Sequence, residues 1–272
     1  MTAGAVHRQQ PYRIRFEWGL DGARIITAGA DLAVVVDVLS FTTCVSVAVE
    51  RGVEVYPYRW KDTGAEDFAV HHRATLAGPR NGGGLSLSPS SLRDTPGLER
   101  VVLPSPNGSA ICQELAGEVP LLAAVCLRNA AATADWVLAA LPEDAVIAVI
   151  AAGELWHHGG PGNNGGAGHN GQPGHDGGLR PAVEDLWGAG AFLAGLVAAG
   201  REVFTPEALS PEALAAAAAF DAAEPALPEL LRGCSSGREL IGMGYPDDVE
   251  IAAGLDAASA VAVLRNGAFT RV

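Results

Sequence analysis

Long apolar runs are missing from this 272-residue chain. The longest candidate, AGAFLAGLVAAG at 189–200, is broken by glycines and too short to span a bilayer. The opening MTAGAVHRQQPYRIRF lacks the apolar centre of a secretory signal, so a cytoplasmic location away from membranes is expected. Cysteine is sparse: Cys44, Cys112, Cys126 and Cys234 are widely spaced with no C-x-x-C pair, which argues for reduced core thiols rather than zinc or disulfides. Positive charge is short as well, with 18 basic against 31 acidic residues and a net charge of −13. A general nucleic-acid binder would carry a basic stripe, so that class is excluded. An anionic ligand would then need local cations or a metal ion to offset the overall field. A P-loop, a C-x₅-R arrangement and a D-x-D after the first strong strand are also absent, which removes several phosphatase and kinase chemistries.

What is present is an alternation. Runs at 12–16, 33–39, 53–58, 100–105, 121–127, 145–152 and 260–265 read as strands, several of them almost continuously apolar, as strands buried on both faces are. Helical patterns fall between and after them at 42–51, 63–73, 109–117, 129–140, 182–199, 207–222, 236–243 and 247–256. Thr63-x-x-Glu66, Ser236-x-x-Glu239 and Asp247-x-x-Glu250 have capping-box spacing, while Pro206 and Pro211 follow Thr205 and Ser210 as first-turn prolines. The expected fold is a layered α/β/α unit with a mixed or mostly parallel sheet, spanning 1–272 as one domain or as two lobes of one. The segment 157–178, rich in glycine and histidine, reads as a flexible surface insertion without a packed core.

Two motif matches fail on context. Gly166-x-Gly168-x-x-Gly171 has glycine-rich coil on both sides where a dinucleotide fingerprint needs a strand and a helix. Gly233-Cys-Ser-Ser-Gly237 follows the helical PELLRG, not the buried strand of a nucleophile elbow.

Chemistry concentrates where strands meet helices. Three valines lead to Asp37, and Ser40-Phe41-Thr42-Thr43 then opens a helix. A carboxylate there can hold a metal, act as nucleophile or merely cap the helix, and position alone leaves these readings open. Asn107-Gly108-Ser109 repeats the pattern after RVVLP, offering a cradle for phosphate oxygens or simply an N-cap. Arg128-Asn129 is a third such junction. Glu184 and Asp185 are the only acids of an apolar helix and share its first turn, where the helix dipole alone would favour them. Mg²⁺ needs one or two carboxylates besides water and substrate oxygens, so Asp37 with one of this pair would suffice. Adjacent helical residues diverge by roughly 100°, so the two are not expected to bind one ion alike.

VVVDVLSFTT, LPSPNGS, VCLRNA, VIAAGE, RPAVEDLWGAGA and SSGRELIGMGYPDDVEIAAGLD, taken in order, resemble the motifs of the 2-phosphosulfolactate phosphatases, the ComB-like proteins. The resemblance implies Mg²⁺-dependent hydrolysis of (R)-2-phospho-3-sulfolactate to 3-sulfolactate and phosphate, a step of coenzyme M biosynthesis. Mg²⁺ is then expected on Asp37 with Glu184 or Asp185, the three being the candidate catalytic and metal-binding residues. Thr42, Thr43, Arg80, Asn107, Gly108, Ser109, Asn129, Arg180 and Arg238 would then bind the substrate, with Glu154 and Ser88-Pro89 in neighbouring motif positions. The expected partner is a small anionic phosphorylated acid, with homo-oligomer formation left open. One departure stands out: Ser40 lies where the family commonly has arginine. A non-catalytic binding protein for such an acid is the alternative on the same scaffold.

Overall fold

The computed structural model describes residues 6–59, 63–156, 178–200 and 203–272. Its strands are β1 (Ile14–Trp18), β2 (Leu32–Val36), β3 (Glu54–Tyr58), β4 (Thr75–Leu76), β5 (Arg100–Pro104), β6 (Leu121–Val125), β7 (Ile147–Ala151), β8 (Glu154–Leu155), β9 (Leu179–Arg180), β10 (Ala262–Arg265) and β11 (Ala268–Arg271). The helices are α1 (Gly19–Ile26), α2 (Phe41–Glu50), α3 (Thr63–His72), α4 (Pro89–Asp94), α5 (Gly108–Leu115), α6 (Ala130–Ala140), α7 (Val183–Ala199), α8 (Pro211–Ala223), α9 (Leu227–Gly233), α10 (Ser235–Gly242) and α11 (Pro246–Ala252).

Nine strands form one mixed, mostly parallel sheet in the order β1-β7-β2-β6-β10-β11-β3-β5-β4, and β8 pairs with β9 apart from it. The blocks β1-β7-β2-β6 and β3-β5-β4 are each parallel inside. Three antiparallel pairings through the β10–β11 hairpin separate them, so the two blocks run in opposite senses.

Continuous apolar strands do lie between two layers. On one face Val34, Val36, Val125, Val149 and Ala151 pack with Ala134, Phe192, Leu193 and Ala216 of α6, α7 and α8. On the other, Ala33, Val35, Ala124, Ala148 and Ile150 meet Ile26, Val45, Ala48 and Ile111 of α1, α2 and α5. Each fully buried valine or leucine contributes about 1.5–3 kcal/mol, which explains why these strands tolerate no polar residue before their ends.

The strand expected over 33–39 stops at Val36, one residue before Asp37. Helix α1, helix α4 and strand β11 lie outside the elements that the sequence pattern predicts. Helix α1 carries two glycines in eight residues, a composition that hides a helix. Strand β11 was signalled by Asn266-Gly267, whose φ values of 53° and 85° close a tight hairpin. Ser210 caps α8 as expected, accepting from the Ala213 N–H at 3.1 Å. Ser236 does not cap α10; that place belongs to Cys234, whose Sγ accepts from Gly237 N at 3.3 Å. The Asp247 box is likewise displaced, since Tyr245 is the N-cap of α11 and Asp247 lies in its first turn. The insertion at 157–178, apart from Gly178, lies outside the described residues.

Candidate active site

Because β1, β7, β2 and β6 run parallel, the loops that follow them open at one edge, where ligands of such sheets bind. Asp37 leaves β2 there and is 5% exposed. Its Oδ1 accepts from Phe41 N at 3.3 Å and its Oδ2 from Gly108 N at 2.8 Å, so it faces the first turns of α2 and α5 together. Although β5 belongs to the opposite block, its loop therefore reaches this edge. Burial pushes Asp37 up to about 6, partly offset by those two N–H groups, with the Glu184 charge adding to the rise.

The adjacent acids of α7 divide their work. Asp185 Oδ1 accepts from Val38 N at 2.7 Å and Oδ2 from Gly153 N at 2.9 Å, which ties the loops after β2 and β7 to the helix. Its carboxyl is raised well above the usual carboxylate range, first by burial and then by the Asp37 charge. Glu184 is 2% exposed, and its Oε2 is buried without a hydrogen-bond partner among the described residues. A buried carboxylate oxygen in that state is costly unless a cation meets it.

Glu154, after β7, completes the group. Its Oε2 accepts from Asn107 Nδ2 at 2.9 Å. Burial and then the Asp37 charge push it up to about 7, against the lowering effects of Asn107 and Arg180. Asn107 and Glu154 also line a cavity of about 330 Å³, with Trp18, Leu20, Ile111 and Leu179 among its apolar walls.

The hydroxyl and amide candidates are turned into the loops that carry them. Thr42 Oγ1 donates to the Asp37 carbonyl and accepts from its N–H at 2.8 and 3.0 Å. Thr43 Oγ1 donates to Val38 O at 2.7 Å, and Ser109 Oγ to Leu103 O at 3.0 Å. Asn129 accepts from Cys126 N and donates to Ala124 O. All four residues are fully buried.

The arginines differ in placement. Arg180, half-buried, donates to Ser236 Oγ at 3.2 Å and stacks over Trp156 at 5.9 Å. Arg238 is exposed on α10. Arg80, from a single 3₁₀ turn at Arg80–Gly82, donates to Asp248 Oδ2 at 2.7 Å and Ser40 Oγ at 2.6 Å. Two residues here escaped the sequence reading. In sequence Asp248 reads as part of a helix start, and nothing nearby signals its burial. Arg128 stands out in sequence only as the neighbour of Asn129, yet it donates to Ile251 O at 3.1 Å and its buried Nε has no partner among the described residues.

Among the described residues no group of three or more His, Cys, Asp or Glu side chains is arranged to enclose a metal ion. Mg²⁺ does not require one, since it keeps waters and takes one or two carboxylates with substrate oxygens. The unpartnered oxygen of Glu184, near enough to Asp37 to shift its titration, is a donor set compatible with such an ion.

Buried carboxylates and helix first turns gather at the carboxyl edge of a parallel block, which makes the molecule a layered α/β protein with a polar site at that edge. The family described as 2-phosphosulpholactate phosphatase matches residues 26–267, and the chain belongs to it. That family is one of phosphoric monoester hydrolases, which makes the protein an enzyme of this class. No curated protein matches the chain in sequence. Among the described residues no helix is long and apolar enough to cross a membrane.

Proposed function

We propose that the protein hydrolyses the phosphate monoester of a small 2-hydroxy acid with Mg²⁺, 2-phosphosulfolactate being the first substrate to test. The observation that carries this reading is the unpartnered, buried oxygen of Glu184, a residue whose charge is felt at Asp37, in a chain matching the phosphatase family over almost its whole length. Asp37 and Glu184 would hold the ion, which when bound would supply Lewis-acid neutralisation of the phosphate oxygens. Asp185 acts as a brace: with both oxygens on backbone N–H groups, it keeps the loops carrying Asp37 and Glu154 in register. Thr42, Thr43, Ser109 and Asn129 do the same within their own loops.

Hydrolysis forms a bond from water oxygen to phosphorus and breaks the bond from phosphorus to the C2 oxygen. The proton lost by the water ends on the leaving alkoxide. Glu154, pushed up to about 7 and open to the cavity, suits that transfer, because a group titrating near working pH both accepts and returns a proton. Arg80 and Arg180 would offset substrate charge.

The test is phosphate release from a panel of 2-phospho acids, including phosphosulfolactate and phospholactate, with Mg²⁺ and with EDTA. Release confined to one acid and abolished by EDTA is expected. If folded protein with Mg²⁺ releases phosphate from none, the hydrolytic reading fails and the non-catalytic binding protein takes its place as the reading to test.

A further inference from the structure

We infer that Asp248 is a positioning residue that fixes the guanidinium of Arg80 as an oxyanion-binding group of the site; this rests on the phosphatase reading above. Asp248 is fully buried. Its Oδ1 accepts from Ser88 Oγ at 2.7 Å, Ser90 Oγ at 2.7 Å and Ser90 N at 3.2 Å. Its Oδ2 accepts from Arg80 Nη1 at 2.7 Å. Three donors thus hold the carboxylate, which in turn holds the arginine.

Arg80 enters from a turn whose following residues, 81–84, are all exposed, so its own loop does little to direct it. Three outside groups do so instead. Besides Asp248, the Ser40 hydroxyl accepts from Nη2 at 2.6 Å, and the Tyr245 ring lies 5.2 Å from the guanidinium carbon. Ser40 immediately precedes Phe41, whose N–H donates to Asp37. The guanidinium is therefore set at the N-cap of α2, the helix whose first N–H meets Asp37. Its side chain keeps 19% exposure, and two of about five guanidinium N–H donors are used in these bonds, which leaves donors for a ligand.

Stability alone does not account for the arrangement. A buried ion pair is often no more stabilising than apolar residues of the same volume, because desolvation offsets the attraction. A planar fork held at two nitrogens does have a fixed direction, which phosphate and sulfonate recognition requires. With the acids Asp37, Glu154, Glu184 and Asp185 in the candidate site, an anionic substrate needs a fixed cation to enter.

The experiment compares wild type, D248N, R80A and the double variant by phosphate-release kinetics and by calorimetric binding of inorganic phosphate. D248N is expected to raise KM and weaken phosphate binding about tenfold while kcat changes little, since uniform binding is lost. R80A should lose more, and the double variant no more than R80A, because Asp248 acts through Arg80. Added guanidinium should partly rescue R80A but not the double variant, which lacks the carboxylate that would seat it. Unchanged phosphate affinity in folded D248N, additive losses, equal rescue of both variants, or no phosphate binding by wild type would each overturn the proposal. Should D248N fail to fold, S40A removes the second brace and must raise KM by itself; unchanged KM overturns it. If no acid is hydrolysed, the kinetic arm is replaced by the phosphate titrations alone. Weaker phosphate binding by D248N would then sustain this inference although the catalytic reading had failed.

Discussion

Gly108 shows how little room surrounds the central carboxylate. A Cβ built there would stand 2.5 Å from Phe41 Cδ1 and 2.6 Å from Asp37 Oδ2. Only a hydrogen lets the α5 N–H approach Asp37 at 2.8 Å. Gly108→Ala should therefore push Asp37 out of place. Overpacking of this kind costs about 1–3 kcal/mol. Phosphate release should fall about 100-fold, the loss typical of misplacing a reacting group by an ångström. Thermal unfolding and turnover measured on the same sample check both parts, and a fully active variant would remove Asp37 from the chemistry. At this scale Ser40 also finds a use: its hydroxyl accepts from Arg80, so a guanidinium from a distant loop reaches this position.

Helix α7 acts as the joint between loops. Its first turn holds Val38 and Gly153 through one carboxylate, and its middle packs so closely on α8 that a Cβ on Gly190 would meet the Ala216 carbonyl. Asp185→Asn replaces one accepting oxygen by an NH₂ group, which leaves a buried backbone N–H facing another donor. An unmade buried bond costs about 1–3 kcal/mol. Denaturant unfolding should show that loss, together with a lower kcat because Asp37 and Glu154 ride on the two loops. A kcat unchanged in a folded variant would show that the brace does not serve the reaction.

At the scale of the whole molecule, the β10–β11 hairpin is, among the described residues, the only join along the sheet between its two parallel blocks. Removing 262–271 would expose the β6 and β3 edges, and unpaired strand edges invite association. The shortened chain is expected in the insoluble fraction on expression. A soluble product with a cooperative urea transition would show that helix packing alone holds the blocks together.

Sequence periodicity was enough for the layered fold and for most elements, because a strand buried on both faces cannot hide its apolar run and a helix beside it must repeat at 3.6 residues. It also marked Asp37, Asn107, Gly108, Glu184 and Asp185, since polar residues that end apolar runs are visible without a structure. Strand order was not legible, and with it the meeting of the β5–α5 loop with Asp37, since that contact joins residues 71 apart. The different fates of Glu184 and Asp185 were also hidden: one turn of α7 aims them apart, and only the neighbouring backbone decides which finds partners. Asp248 was the least visible, because burial and pairing with Arg80, 168 residues away, are properties of tertiary packing and leave no local pattern.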